Sequence, residues 1–113
     1  MMIEEILYNY LGDSLSAPVY LEIPVDYPSK YYVIEKTGGA QVNHIKSATV
    51  AIKSYADSMY DAAEMNEELK AVMLDDILEL PELASVRLNS DYNFTDTATK
   101  QYRYQAVFDI KFY

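Results

Sequence analysis

The chain has 113 residues, with 18 Asp and Glu against 9 Lys and Arg, so its formal net charge is −9 at pH 7. Half of the residues are hydrophobic, which favours one folded domain over a disordered chain. The absence of cysteine and the presence of a single histidine exclude disulfides, thiolate chemistry and a metal site built on two histidines. The acidic balance argues against a general grip on nucleic-acid phosphates, which requires clustered Lys and Arg.

The N-terminal part of the chain predicts a helix and a short edge strand. Apolar residues recur at helical spacing over residues 3–11, and Gly12 is the expected stop. Residues 19–23 lie between two prolines. Because proline cannot donate to a sheet ladder, we expect this strand at an edge.

Two strands joined by a turn are predicted next. Residues 31–37 are β-branched and aromatic, and Gly38 and Gly39 predict the turn that ends them. Apolar residues alternate over 44–53, which predicts a half-buried strand paired with the first. His44 is expected at the start of this strand, on the surface.

The longest helix is predicted after this hairpin. Asp57 or Ser58 can cap its N-terminus, and Pro81 should end it near Leu80. Its apolar stripe consists of Met59, Ala62, Met65, Leu69, Val72, Met73 and Ile77.

Two strands complete the chain. Residues 84–92 place Val86, Leu88 and Tyr92 on one side. The last strand has the cleanest alternation, with an apolar set made of Tyr102, Tyr104, Ala106, Phe108, Ile110 and Phe112.

This order predicts one α+β domain over residues 1–113. We expect a mainly antiparallel sheet of four to five strands, with the N-terminal helix and the long helix packed on one face. Phe108, Ile110 and Phe112 should pack against the apolar stripe of the long helix.

The acidic residues are concentrated in one region, because residues 57–82 hold nine Asp and Glu and one Lys. Neighbouring carboxylates such as Asp75 and Asp76 point about 100° apart on a helix, so they do not converge on one atom. We therefore expect a solvated acidic helix face, with no catalytic residue, cofactor or metal. The candidate face consists of Asp57, Asp61, Glu64, Glu67 and Glu68.

Twelve tyrosines and two polar segments indicate contacts with partners. Tyrosine has a large apolar body and a polar tip, which suits interfaces, and Tyr27, Tyr31, Tyr32 and Tyr113 are candidates. Residues 37–41 and 93–100 are expected to be loops, the first mobile until it meets a neighbour. The candidate assembly residues are Gly38, Gly39, Ala40, Gln41, Asn93, Thr95 and Asp96.

Three segments resemble the small tail-terminator, or tail-completion, proteins of long-tailed bacteriophages and prophages. They are YYVIEKTGG (31–39), SATVAIKSYADSMYDAAEMNEEL (47–69) and YNFTDTATKQYRYQAVFDIKFY (92–113). The strongest element is a strand–SYA–helix junction combined with a closing strand of the form RYQAVFDI. The resemblance covers nearly the whole chain after about Val19.

The resemblance implies a non-enzymatic virion protein at the head-proximal end of the tail, present in the host cytoplasm during assembly. Relatives form hexameric rings that stop tail-tube polymerisation and dock the head connector or stopper protein. The implied partners are therefore other copies of the chain, the tube protein and the connector, with no specific nucleic-acid binding. An acidic helix could then line the lumen.

Two other classes of function remain open on the sequence. A small acidic α+β protein can mimic DNA and occupy a nucleic-acid-binding enzyme, and an enzyme with an unrecognised carboxylate site is the third possibility. No apolar run approaches the roughly 20 residues of a membrane span, and the first residues lack the pattern of a signal peptide. We therefore expect no membrane partner.

Overall fold

The computed structural model describes residues 2–96, 98–99 and 101–113. It has the α+β fold predicted from the sequence, with two α-helices and a five-stranded, mostly antiparallel sheet. In chain order, the elements are α1 (Ile3–Ser14), β1 (Val19–Tyr20), β2 (Tyr31–Val42), β3 (Ile45–Ala56), α2 (Met59–Leu74), β4 (Leu83–Asn93) and β5 (Tyr102–Phe112). A single 3₁₀ turn, Asp76–Glu79, connects α2 to β4.

The strands lie in the order β1-β2-β3-β5-β4. The short strand β1 pairs in parallel with β2, and every other neighbouring pair is antiparallel. Helix α2 carries the chain from β3 past β5 to β4, so the second hairpin places β5 in the middle of the sheet. The outer strands are β1, with the uncovered part of β2 beyond it, and β4 at the opposite margin.

The main core lies between one face of the sheet and the two helices. Alternate residues of β5 form one cluster with the apolar stripe of α2, which confirms the predicted packing of these two elements. Helix α1 closes the same core beside α2. The buried set includes Ile3, Leu7 and Leu11 of α1, Met65, Leu69, Val72 and Met73 of α2, and Ala106, Phe108, Ile110 and Phe112 of β5.

The predicted turn at Gly38 and Gly39 is wrong. Both glycines lie inside β2, which pairs with β3 as far as Val42, and neither takes a positive φ. The turn consists of Asn43 and His44, with φ of 51° and 67°. Two consecutive residues at positive φ match the twist of a tight hairpin, so the chain reverses there and the strand continues through the glycines.

The predicted side of Tyr92 is also wrong. Val86 and Leu88 lie opposite Ile110 and Phe108, on the face covered by the helices, whereas Tyr92 lies opposite Gln105 on the other face. The register of β4 shifts between Leu88 and Ser90. This β-bulge inserts one residue and reverses the alternation, which a strict two-residue period cannot anticipate.

The two helices end at different residues from those predicted. Helix α1 continues through Gly12 to Ser14, and α2 ends at Leu74 rather than near Leu80. Asp75 leaves helical geometry, with φ −136° and ψ −72°. Carboxylates are unfavourable at the negative C-terminal end of a helix, and the tighter 3₁₀ turn that follows buries Ile77 in the core.

We predict that Phe108→Ala lowers the free energy of unfolding by about 3–5 kcal/mol, because it removes a fully buried ring between β5 and α2. Urea denaturation measures the change. Tyr60→Ala is the matched control, since that ring is 74% exposed and its loss should change stability by less than about 0.5 kcal/mol. Equal effects of the two substitutions would contradict the assigned core.

We predict that His44→Gly raises the free energy of unfolding by up to about 1 kcal/mol, because glycine avoids the penalty of a positive φ. Asn43→Gly should gain less, since asparagine tolerates this conformation better than most residues. The same denaturation experiment compares the two variants. A loss of stability in His44→Gly would show that the turn does not depend on these dihedral angles.

Candidate interaction surfaces

The sheet face opposite the helices carries a column of aromatic rings. Tyr31 stacks on Tyr55 with 4.6 Å between ring centroids and a 5° interplanar angle. The centroid of the Tyr27 ring lies 5.5 Å from that of Tyr31. The Arg103 guanidinium lies 5.8 Å from the Tyr55 ring and 4.6 Å from the Phe94 ring. The column crosses the sheet because Tyr31, Tyr55 and Arg103 occupy aligned positions of β2, β3 and β5. These contacts bury the open face at this end of the sheet.

Two adjacent tyrosines of β2 are structural rather than available to a partner. Tyr31 and Tyr32 are both buried, so their predicted role as partner-facing residues is wrong, whereas Tyr27 and Tyr113 are exposed. The Tyr32 hydroxyl donates to the Met65 carbonyl oxygen at 3.1 Å. Burial raises the pKa of Tyr31 to about 12, with smaller contributions from Tyr55 and Tyr27. Burial also raises the pKa of Tyr32, and Glu68 adds to that increase.

A cleft of about 580 Å³ lies at the end of this column. Its lining combines the rings of Tyr27, Tyr31 and Tyr55 with the carboxylates of Asp57 and Asp96. Hydrogen bonds from the Ala98 backbone and from Thr99 hold the pKa of Asp96 below its usual range, so this carboxylate is charged at neutral pH. Rings and carboxylates favour cationic over phosphate-bearing ligands.

An apolar strip is exposed next to β1. The segment between β1 and β2 presents Leu21, Ile23, Val25 and Tyr27, each at least 47% exposed and Val25 96% exposed. Apolar side chains alternate here with Glu22, Pro24 and Asp26. We define these four residues as the β1-side strip. The sequence contained a signal for it, because apolar residues alternate over this segment, but the pattern predicted only a short edge strand over residues 19–23.

A second apolar patch lies at the opposite margin of the sheet. Leu74 of α2 and Leu88 of β4 are each more than a third exposed, and both line a shallow depression together with Ala71. We define these three residues as the β4-side patch. It lies where α2 faces the outer strand β4, and the charged side chains of Glu67, Lys70 and Asp75 line the same depression.

The five residues of the predicted acidic face lie along α2 and at its N-terminus, but they differ in their contacts. Glu68 accepts hydrogen bonds from the Ser16 backbone N–H at 3.0 Å and from the Ser16 hydroxyl, and so fixes the chain between α1 and β1. Asp61 lies 4.0 Å from Lys30 Nζ, and Glu67 lies 2.8 Å from Lys70 Nζ. Asp57 and Glu64 are exposed.

Helix α2 and the outer strand β4 are joined by polar contacts. The Asp91 carboxylate accepts hydrogen bonds from Lys70 Nζ and from the Asn66 amide. The bond from Lys70 to Asp91 is the largest cause of a raised pKa for Lys70, and Glu67 adds to it. Asp91 reaches α2 because the bulge after Leu88 turns it toward the helix face.

The predicted assembly loops are more ordered than expected. Gly38, Gly39, Ala40 and Gln41 are exposed but belong to β2, so their description as a mobile tip is wrong.

In the second predicted loop, 93–100, the Asn93 side chain accepts a hydrogen bond from the Thr95 backbone N–H. The Asp96 carboxylate accepts hydrogen bonds from the backbone N–H groups of Ala98 and Thr99. These are turn contacts that stabilise the loop itself. Residues 97 and 100 of the predicted loop lie outside the described residues.

No group of three or more His, Asp or Glu able to hold a metal occurs in the described part of the chain. Within that same part, no helix has the length and apolarity needed to cross a membrane. No protein-family model matches the chain, and no curated protein matches it significantly.

We predict that Tyr31→Phe and Tyr32→Phe differ at neutral pH. The Tyr31 hydroxyl is buried and has no hydrogen-bond partner among the described residues, so its removal relieves the cost of an unpaired buried group and should not lower the free energy of unfolding. Tyr32→Phe loses the bond to the Met65 carbonyl and should lower the free energy of unfolding by about 0.5–1.5 kcal/mol. Denaturation at pH 7 tests this difference.

In alkali, the stability of Tyr31→Phe relative to the wild type should change. The pKa of Tyr31 is raised to about 12 in the folded protein, so its contribution is complete below the ordinary value of about 10 and is lost as the pH rises toward 12. Between pH 9 and pH 11, Tyr31→Phe should therefore gain stability relative to the wild type. A constant difference over that range would contradict the burial of the phenol.

Proposed function

We propose that this protein is a non-enzymatic structural subunit that assembles head to tail into a ring, as the tail terminators of long-tailed phages do. In that role, the ring caps a tail tube at its head-proximal end and presents a docking surface to the head connector. The proposal rests on the sequence resemblance for its biological setting. It rests on one observation of the structure for its mode of assembly.

That observation is the position of the exposed apolar groups. The β1-side strip and the β4-side patch lie at opposite margins of the sheet, and they are composed of different residues. Association through two different patches is heterologous, so each subunit presents a free margin to the next, and the chain of contacts closes as a ring if the rotation permits. A two-fold dimer would instead require one patch that is complementary to itself.

The charge distribution is compatible with a passage for DNA. Exposed carboxylates of α2 such as Glu64 repel a phosphate backbone, and a repulsive wall lets a duplex pass without being held. Asp57 lines the tyrosine cleft instead and does not belong to this side. We infer that the α2 side faces the lumen. The docking surfaces then lie on the remaining faces of the ring.

The DNA-mimic alternative has less support. A mimic requires free carboxylates spread along one face. Here Glu68 is used to fix the α1–β1 connection, and Asp61 and Glu67 lie beside lysines of the same chain. These contacts reduce the charge available to a basic partner.

The first experiment targets the β1-side strip. We predict that Val25→Asp abolishes assembly, because it places a charge in the centre of an apolar contact, while the free energy of unfolding remains that of the wild type. Tyr60→Asp is the matched control, with the same new charge at another exposed apolar position. Sedimentation and electron microscopy, with and without tail tubes, measure assembly. Assembly of Val25→Asp at the wild-type level would contradict the proposal.

A mixing experiment tests whether the contacts are heterologous. Val25→Asp retains an intact β4-side patch, and Leu74→Lys retains an intact β1-side strip. Each variant alone should remain monomeric, whereas the mixture should form heterodimers that cannot extend, since only one interface between the two is intact. Rings or long oligomers in the mixture would show that these two margins do not contact each other.

A further inference from the structure

The outer edge of β2 is open over most of its length. Strand β1 pairs only with Tyr32 and Val33. Next to it, the Pro18 carbonyl oxygen accepts a hydrogen bond from the Tyr32 N–H at 2.9 Å. Backbone groups alternate between the two sides of a strand. Since the Tyr32 N–H points outward, those of Ile34 and Lys36 do so as well.

The β-bulge in β2 changes this alternation. The register with β3 shifts between Lys36 and Gly38. Beyond the bulge, Val42 and Ile45 flank the two-residue turn, and their backbone N–H and C=O groups face each other. The outward groups on this side of the bulge are therefore those of Gly39 and Gln41. The parallel pairing of Tyr20 with Val33 already uses the Ile34 N–H, which donates to the Tyr20 carbonyl oxygen. The free edge of β2 therefore offers backbone donors and acceptors at residues 36, 39 and 41.

The outer edge of β4 has no partner strand in the described part of the chain. The Phe94 N–H donates to the Arg103 carbonyl oxygen at 2.9 Å, so alternate residues of β5 from Arg103 onward face β4. Their partners in β4 are Ser85, Arg87, Ser90 and Tyr92. The residues that alternate with these partners have outward backbone groups, at positions 86, 88, 91 and 93, and Asn89 is the extra residue of the bulge.

The two edges have the same spacing. In each strand, two outward residues are followed by a bulge and then by two more, at intervals of two, three and two residues. A bulge on one strand alone interrupts pairing, because it adds a residue that the partner lacks. Two bulges opposite each other keep the strands in step. The strands also run in opposite directions, because β2, β3, β5 and β4 are successively antiparallel.

We propose that β4 of one copy pairs with the free edge of β2 in the next copy, as a continuous antiparallel sheet in which the two bulges face each other. This pairing rests on the proposed ring and specifies how its subunits meet. Its register places residues 36, 39 and 41 opposite residues 91, 88 and 86, and it ends at Ile34, whose N–H is bonded to β1. The occupant of each edge is thus a second copy of this chain.

The side chains agree with this register. The side-chain positions of all eight outward residues lie on the helix-covered face. Within the subunit, each is paired with a residue of β3 or β5 whose side chain lies on that same face. Lys36 comes opposite Asp91, an attractive cross-strand pair. Leu88, which is 37% exposed in the free subunit, comes opposite Gly39. The flexible end of the Lys36 side chain lies over Gly39 in the free subunit, and it leaves this space when it turns toward Asp91.

The absence of cysteine allows a direct test of the register in the full-length chain. On the open face, the proposal places Glu35 opposite Tyr92 and Ala40 opposite Arg87. These are non-hydrogen-bonded positions, with Cα atoms about 4.5 Å apart, within the range of a disulfide. All four residues are exposed, so cysteine should be tolerated.

Two double variants carry the matched pairs, Glu35→Cys with Tyr92→Cys and Ala40→Cys with Arg87→Cys. Two controls use the same four positions with the partners exchanged, Glu35→Cys with Arg87→Cys and Ala40→Cys with Tyr92→Cys. The exchange displaces the thiols by five residues, or about 17 Å along the strand. After mild oxidation, the matched variants should form disulfide-linked oligomers and the exchanged variants should remain unlinked.

The outcomes separate this pairing from the proposed function. Equal linking of matched and exchanged variants would overturn the register. Unlinked matched variants that nevertheless form rings would overturn the edge pairing and leave the ring intact. A wild-type chain that forms no assembly, alone or on tail tubes, together with unlinked matched variants, would overturn both.

Discussion

The packing of one face of β5 against helix α2 is the interaction on which the remaining structure depends. Phe108 and Ile110 are fully buried between the sheet and the helix, in one cluster with Leu69 and Met73. Because β5 lies between β3 and β4, this contact also fixes the strand order. The cluster occupies the middle of the sheet, and the margins receive little cover. Exposed apolar groups and free backbone edges therefore remain at both margins, where a neighbouring subunit can bury them.

The sequence predicted the core because the core follows regular periods. The two-residue alternation of β5 and the helical stripe of α2 identified both partners, and prolines on either side of Val19 and Tyr20 identified an edge strand. These signals are strong because burying one face of a strand or helix imposes a fixed spacing along the chain.

The prediction failed where one residue changes the spacing. The bulge after Leu88 moved Tyr92 to the opposite face, and the positive φ of His44 moved the turn away from Gly38 and Gly39. A bulge depends on the partner strand, so a single strand's composition does not reveal it. The exposed strip from Leu21 to Tyr27 was missed for a related reason: alternation indicates an extended chain, but not whether anything covers it. These irregularities now carry the proposed contacts, since opposed bulges provide a register that a regular edge would lack.

The central claim is that copies of this chain meet through the two margins of the sheet. Hydrogen exchange followed by mass spectrometry tests it most directly, by comparing the dilute protein with the assembled form. The account predicts slower exchange on assembly along the outer edges of β2 and β4, at residues 36–41 and 86–91, with unchanged exchange in the central strands β3 and β5. Slower exchange confined to the outer face of α2, with unchanged exchange at both margins, would contradict it.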